Sequence, residues 1–136
     1  MEFDTKIAVV IREDLARRQK INVAAFLVSG IAGTNPSLVG EPYVDGSGER
    51  YLPMFRQPVL VFGADAPAIR RAYERARARD VELAIYTAEL FATSHDEANR
   101  AEVASVPSAE LDLVGIAMRA DRKIVDKVVD RLRPHP

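Results

Sequence analysis

Four short apolar runs, each rich in β-branched or aromatic residues, most strongly limit what this chain can fold into. The runs are Lys6–Ile11, Pro58–Phe62, Val81–Tyr86 and Leu111–Met118. Runs of this length and composition are typical of buried strands. Segments with helical spacing lie between and after them. Alternating strands and helices predict an α/β sandwich around a four-stranded, mainly parallel or mixed sheet.

Four helices are predicted from the intervening segments. An alanine-rich apolar stretch favours a largely buried helix that stops at Gly33, and Asp65 is placed to cap a second helix with one apolar face. The predicted helices span about Gln19–Ala32, Asp65–Arg79, His95–Ala104 and Asp121–Arg133.

A β-hairpin is predicted as an insertion at about residues 41–53. Asp45-Gly46-Ser47-Gly48 lies between Glu41–Val44 and Glu49–Leu52. Asp-Gly between aromatic and β-branched residues is a strong hairpin signal, because tight turns need residues that tolerate positive φ.

Length and composition predict one soluble domain over residues 1–136. The formal net charge is −1 and there are no cysteines, which argues against a dedicated nucleic-acid binder and excludes disulfides and thiolate chemistry. The acidic start lacks the basic and apolar regions of a signal peptide, and the longest apolar stretch is about half a membrane span. We therefore expect a cytoplasmic protein without membrane association.

The densest cluster of reactive side chains lies at residues 91–100. Ser94 and Glu97 fit the Ser-x-x-Glu capping box of a helix start. His95 is the candidate catalytic residue, as a general base, because histidine exchanges protons near neutral pH. Asn99, one turn further on, would share its face. The alternative is that His95 is a surface or hydrogen-bonding residue.

A second candidate site follows the first predicted strand, at Arg12, Asp14, Lys20 and Asn22. Ligands of open α/β sheets bind beyond the carboxyl ends of strands. Lys20 and Asn22 would stand at a helix N-terminus, where free amides and the helix dipole favour an anion. A lysine there does not help the helix, so it indicates an anionic ligand; the alternative is a solvated lysine paired with Glu13 or Asp14.

No metal site or cofactor is predicted. The two histidines are far apart in the sequence, and no pair has the spacing of metal ligands. The Gly30-Ile31-Ala32-Gly33 segment ends a predicted helix, so it does not form a phosphate-binding loop.

Three segments have a distinctive sequence: Lys20–Phe26, Tyr51–Met54 and Thr93–Arg100. With them, nearly the whole chain resembles a family of bacterial proteins known as domain of unknown function 2000. A second and more distant similarity lies in Asp14-Leu15, Lys20 and Val23–Ala25 and in the last predicted strand and helix. In these segments the chain is similar to the type II peptidyl-tRNA hydrolases.

The resemblance implies a three-layer α/β/α fold with a four-stranded mixed sheet, and a homodimer. It does not carry the hydrolase activity, because the hydrolases' polar residues are largely replaced. Asn22, Phe26 and Ser29 stand where they have a lysine, a glutamine and a histidine, and Thr87-Ala88-Glu89 replaces their Asp-Ala-Gly turn. Lys20 alone remains, and shared fold does not establish shared function.

Two functions of different classes remain open. In the first, a binding or regulatory domain holds a small anionic ligand through Lys20, Asn22 and Asp14, with His95 and Asn99 on a second side. In the second, a hydrolase or transferase uses His95 as general base and Lys20 to stabilise an oxyanion. The second requires the two segments to converge.

Overall fold

The computed structural model describes residues 3–136 and contains a five-stranded mixed sheet with helices on both faces. The main-sheet strands are β1 (Thr5–Arg12), β4 (Val59–Ala64), β5 (Leu83–Thr87), β6 (Leu113–Asp121) and β7 (Arg133–Pro134). Two further strands, β2 (Tyr43–Val44) and β3 (Arg50–Tyr51), form a separate hairpin. The helices are α1 (Arg17–Thr34), α2 (Ala66–Ala78), α3 (Asp96–Ala104) and α4 (Arg122–Val128).

The strand order is β5-β6-β1-β4-β7, and only β1 and β4 are paired in parallel. Both β1 and β5 run antiparallel to β6, so β5 points the same way as β1. The carboxyl ends of β1, β4 and β5 therefore lie along one edge of the sheet, together with the start of β6. We call this the upper edge.

The prediction of a four-stranded sheet is wrong, because the sheet has five strands. We predicted that the last helix would continue to Arg133, but α4 ends at Val128 and Arg131 has a φ of 69°. The chain then turns back, and Arg133 and Pro134 pair with Gly63 and Phe62 of β4. A two-residue strand with a proline has no periodicity to reveal it, and proline is tolerated because this is an edge strand.

Two apolar cores lie on opposite faces of β1, whose alternate residues point to either side. Ala8 and Val10 join α2 and α4, whereas Ile7, Val9 and Ile11 face α1. Residues Ile7 to Ile11 are at most 2% exposed, which confirms the prediction of a strand buried on both faces.

The expectation that the first helix is largely buried and stops at Gly33 is wrong. Helix α1 continues through Thr34, and only Val23, Leu27 and Ile31 of its side chains are buried. Ile21 is 64% and Phe26 54% exposed, because the helix covers one face of the sheet and its opposite side meets solvent. Within residues 3–136, no helix is both long and apolar enough to cross a membrane.

Helix α1 lies unusually close to β6 at Gly115. A β-bulge there places Leu113 opposite Thr87 and Gly115 opposite Tyr86, so that Val114 is the extra residue. A methyl group on Gly115 would stand 2.5 Å from Val23 Cγ1 and 2.9 Å from Leu27 Cδ1. Only glycine fits without a shift of the helix.

We predict that Gly115→Ala destabilises the protein by about 1–3 kcal/mol, the usual cost of overpacking a core. The control is Gly33→Ala, because a methyl group on this helical glycine would meet nothing within 4 Å. That change should leave the free energy of unfolding unchanged or raise it by up to about 1 kcal/mol. Urea denaturation measures both, and equal effects would contradict the close approach.

Candidate functional site

The upper edge holds the residues of the second predicted site, and Arg12 organises them. Arg12 Nε and Nη2 donate to the two carboxylate oxygens of Asp14 at 3.0 and 2.7 Å, and Nη1 donates to Asp112 Oδ1 at 2.8 Å. Its side chain is only 17% exposed. The guanidinium thus ties the end of β1 to the residue just before β6.

These contacts lower the pKa of Asp14 below its ordinary value, first through the hydrogen bonds from Arg12 and further through the charges of Arg12 and Lys20. Asp14 is therefore ionised and already paired. Sequence reasoning missed Asp112, since its partner lies 100 positions away; the antiparallel pairing of β1 with β6 is what brings the two together.

The start of α1 is cationic and lacks a side-chain cap. Its N-cap residue is Ala16, which has no oxygen to accept from the first free amides, and the first turn contains no acid. Gln19 Oε1 accepts instead from the Ala16 backbone N–H at 3.0 Å. Arg17, Arg18 and Lys20 all lie in this turn, although cations there oppose the helix dipole.

Lys20 is half-buried, and its charge acts on Asp14. Within residues 3–136, its ammonium group forms no ion pair shorter than 4 Å. The alternative in which Glu13 or Asp14 neutralises Lys20 by direct pairing is therefore wrong. Asp14 remains a neighbour whose carboxylate Arg12 holds.

Asn22 adjoins an aromatic cluster under the same edge. Burial raises the pKa of the Tyr86 phenol, and a side-chain hydrogen bond with Asn22 opposes that rise. The Tyr86 ring meets Phe26 edge-on at 5.9 Å between centroids and Phe91 at 5.2 Å. Asn22 thus lies beside a residue that is itself only 6% exposed.

His95 is the N-cap of α3, and the predicted Ser94–Glu97 capping box is wrong. His95 Nδ1 accepts from the Ala98 backbone N–H at 3.2 Å. In a neutral imidazole one nitrogen is a donor and the other an acceptor. The cap therefore uses the lone pair that a general base would need. Sequence reasoning missed this role because histidine is not among the preferred N-cap residues.

Asn99 is bonded within the same segment. Its Oδ1 accepts from Thr93 Oγ1, and its backbone N–H donates to the His95 carbonyl at 3.1 Å. Among the residues that the structure describes, no hydrogen bond or ion pair joins His95 or Asn99 to Lys20 or Asn22.

The arrangement offers an anion two kinds of group, cations and free amides, at the start of α1. Within residues 3–136, no group of three or more histidines and carboxylates could hold a metal ion. The fold is that of a mixed-sheet α/β protein, with three cations in the first turn of α1 at its upper edge.

The chain belongs to the family described as "Protein of unknown function (DUF2000)", whose sequence model matches residues 5–136. It is also similar to a solved structure of a protein of unknown function from Agrobacterium tumefaciens strain C58. The two are 46% identical with a TM-score of 0.97, over 99% of this chain and 100% of the other. No protein with a curated description matches the chain.

We predict that His95→Ala lowers the free energy of unfolding by about 1 kcal/mol through loss of the cap. Helix α3 has no buried residue, so it depends on its ends. His95→Asp should recover or exceed the original stability, because aspartate is a preferred N-cap and its charge suits the dipole. Thermal and urea unfolding compare the two variants; equal losses would rule out the capping role.

Proposed function

We propose that this protein binds a small anionic ligand, such as a phosphate- or carboxylate-bearing metabolite, at the start of α1. The site comprises Arg17, Arg18 and Lys20, with Asn22 beside them. One observation carries the proposal. The N-terminus of α1 has no side-chain cap, and the first turn of this helix contains three cations and no acid. An anion would satisfy the free amides and the cations together.

Asp14 has a supporting role in this proposal. Because Arg12 donates to both of its oxygens, the Asp14 charge is partly neutralised by Arg12. Asn22 offers a side-chain amide beside the Tyr86 phenol. His95 and Asn99 are left out of the site, since each is engaged in its own helix start.

The scaffold is proposed to be related to that of the type II peptidyl-tRNA hydrolases. What supports this is the crossover from β1 through α1 to a parallel neighbour, together with Lys20 at the first junction. Peptidyl-tRNA cleavage is not proposed. Phe26, at the position of the hydrolases' glutamine, packs against Tyr86 and has no polar group to offer.

The test is calorimetric titration with pyrophosphate and citrate at constant ionic strength. At least one of them should bind saturably to the native protein, and Lys20→Gln should weaken that binding about tenfold, as expected for loss of a charged hydrogen-bonding partner. Lys127→Gln, an exposed lysine on α4, is the matched control. Absence of saturable binding, or equal weakening in both variants, would overturn the proposal.

We also propose that two copies pair through the hairpin arm, which we define as residues 39–55. Tyr43, Tyr51, Leu52 and Met54 are each more than half exposed. Phe55, at the end of the arm, packs partly against the core on the α1 side of the sheet. An isolated two-stranded hairpin is marginal in water. The arm carries Glu41 and Glu49 as well as Arg50, so two copies can match opposite charges.

For this pairing we predict a dimer in sedimentation velocity at micromolar concentrations. Leu52→Glu should convert it to a monomer, because a buried unpaired carboxylate is costly at an interface. Because the Leu52 side chain is 83% exposed, the same change should not affect the fold. Ile21→Glu, an exposed apolar position on α1, is the control and should remain dimeric. A monomeric native protein would refute the proposal.

A further inference from the structure

A cleft is present at the opposite end of the sheet from the start of α1. An open cleft of about 390 Å³ lies between the last turn of α1, the segment that joins α2 to β5, and the end of β6. We call it the lower cleft. Its volume is within the range of small-molecule sites.

The cleft forms because β5 is shorter than its neighbour. The last pair of β5 with β6 is Leu83 with Met118, whereas β6 continues to Asp121 and pairs there only with β1. The outer side of Arg119 and Ala120 therefore has no partner strand in the described part of the chain. Gly30 of α1 approaches Ala84 closely above this gap, since a methyl group there would stand 3.3 Å from Ala84 Cβ.

Both signs of charge line this space. Arg119 is at the end of β6, and Asp80 and Glu82 are in the segment before β5. Among residues 3–136, none of these three side chains forms an ion pair or a side-chain hydrogen bond. Ile31, Leu83 and Ile124 add apolar surface.

Asp80 is costly where it stands, which argues for a role other than stability. It has a φ of 56°, a conformation in which glycine is the usual residue. It follows the C-cap Arg79, and the Val81 and Asp80 amides bond back to Ala76 and Arg77 at 3.0 and 3.1 Å, the pattern of a Schellman helix end. A carboxylate here also opposes the dipole of α2.

We propose that the lower cleft binds a free amino acid or a similarly small zwitterion. The ligand carboxylate would pair with the Arg119 guanidinium, whose N–H groups can donate two parallel hydrogen bonds to its oxygens. The ligand ammonium would pair with Asp80 and Glu82, and a short side chain would cover the apolar surface. Three unpaired side chains of both signs around one cleft are what this class of ligand requires. The proposal is independent of the anion site at α1.

The experiment follows ¹H–¹⁵N amide shifts while the native protein is titrated with glycine, leucine, aspartate and arginine at millimolar concentrations. At least one should produce saturable shifts confined to residues 79–84 and 119–120. The N-acetylated amide of that amino acid should produce none, since it lacks both charges. Equal shifts from this neutral analogue, or no saturable shift with any amino acid, would overturn the proposal.

Variants separate binding from folding. Arg119→Gln should weaken binding about tenfold or more, whereas Arg71→Gln, an exposed arginine on α2 outside the cleft, should bind as the native protein does. The double variant Asp80→Asn with Glu82→Gln should lose binding while its melting temperature is retained or raised, because asparagine tolerates the same backbone conformation. Unchanged affinity in either cleft variant would refute the assignment.

Discussion

The close approach of α1 to β6 at Gly115 is the contact on which the rest of this structure depends. Strand β6 lies between β5 and β1, and its bulge turns both Val114 and the bare Gly115 toward α1. The helix can then seat Val23 and Leu27 directly on the sheet. Helix α1 is continuous over 18 residues, so a contact that fixes its middle also fixes both of its ends. One end is the cationic start at the upper edge, and the other is the last turn, which lines the lower cleft.

The strands could be predicted because their signal is local. Lys6–Ile11 is buried on both sides, and such a strand reads as a continuous apolar run whatever its partners are. Strand β7 carries no such signal: Arg133 and Pro134 are extended because the edge of β4 is available to them. On the outer face of α1, by contrast, apolar residues predicted burial that the structure does not have. Ile21 and Phe26 are apolar, yet the single layer of helix on that face leaves them exposed.

The candidate site was predictable only in part, for reasons that differ by residue. Lys20 and Asn22 lie in the first turns of a recognisable helix that follows a recognisable strand, so their position near a strand end could be inferred. Asp112 and Tyr86 reach the same edge through strand pairing across most of the chain, which no local pattern encodes. His95 shows the remaining difficulty. Its chemistry predicted a proton carrier, but one hydrogen bond from the Ala98 amide gives its Nδ1 a structural use.

Both proposed sites lie where the sequence breaks a local rule without structural benefit. Helix α1 carries cations at its positive end and no cap, and α2 is followed by a carboxylate at its negative end, on a residue in a glycine conformation. Helices α2 and α4 differ from α1 in that each starts with an aspartate cap, Asp65 and Asp121. In natural proteins, local sequence preferences usually agree with the overall fold, and the exceptions tend to lie at functional sites. Charges placed against a helix dipole are stabilised by an opposite charge nearby, and this is the physical ground that the two proposals share.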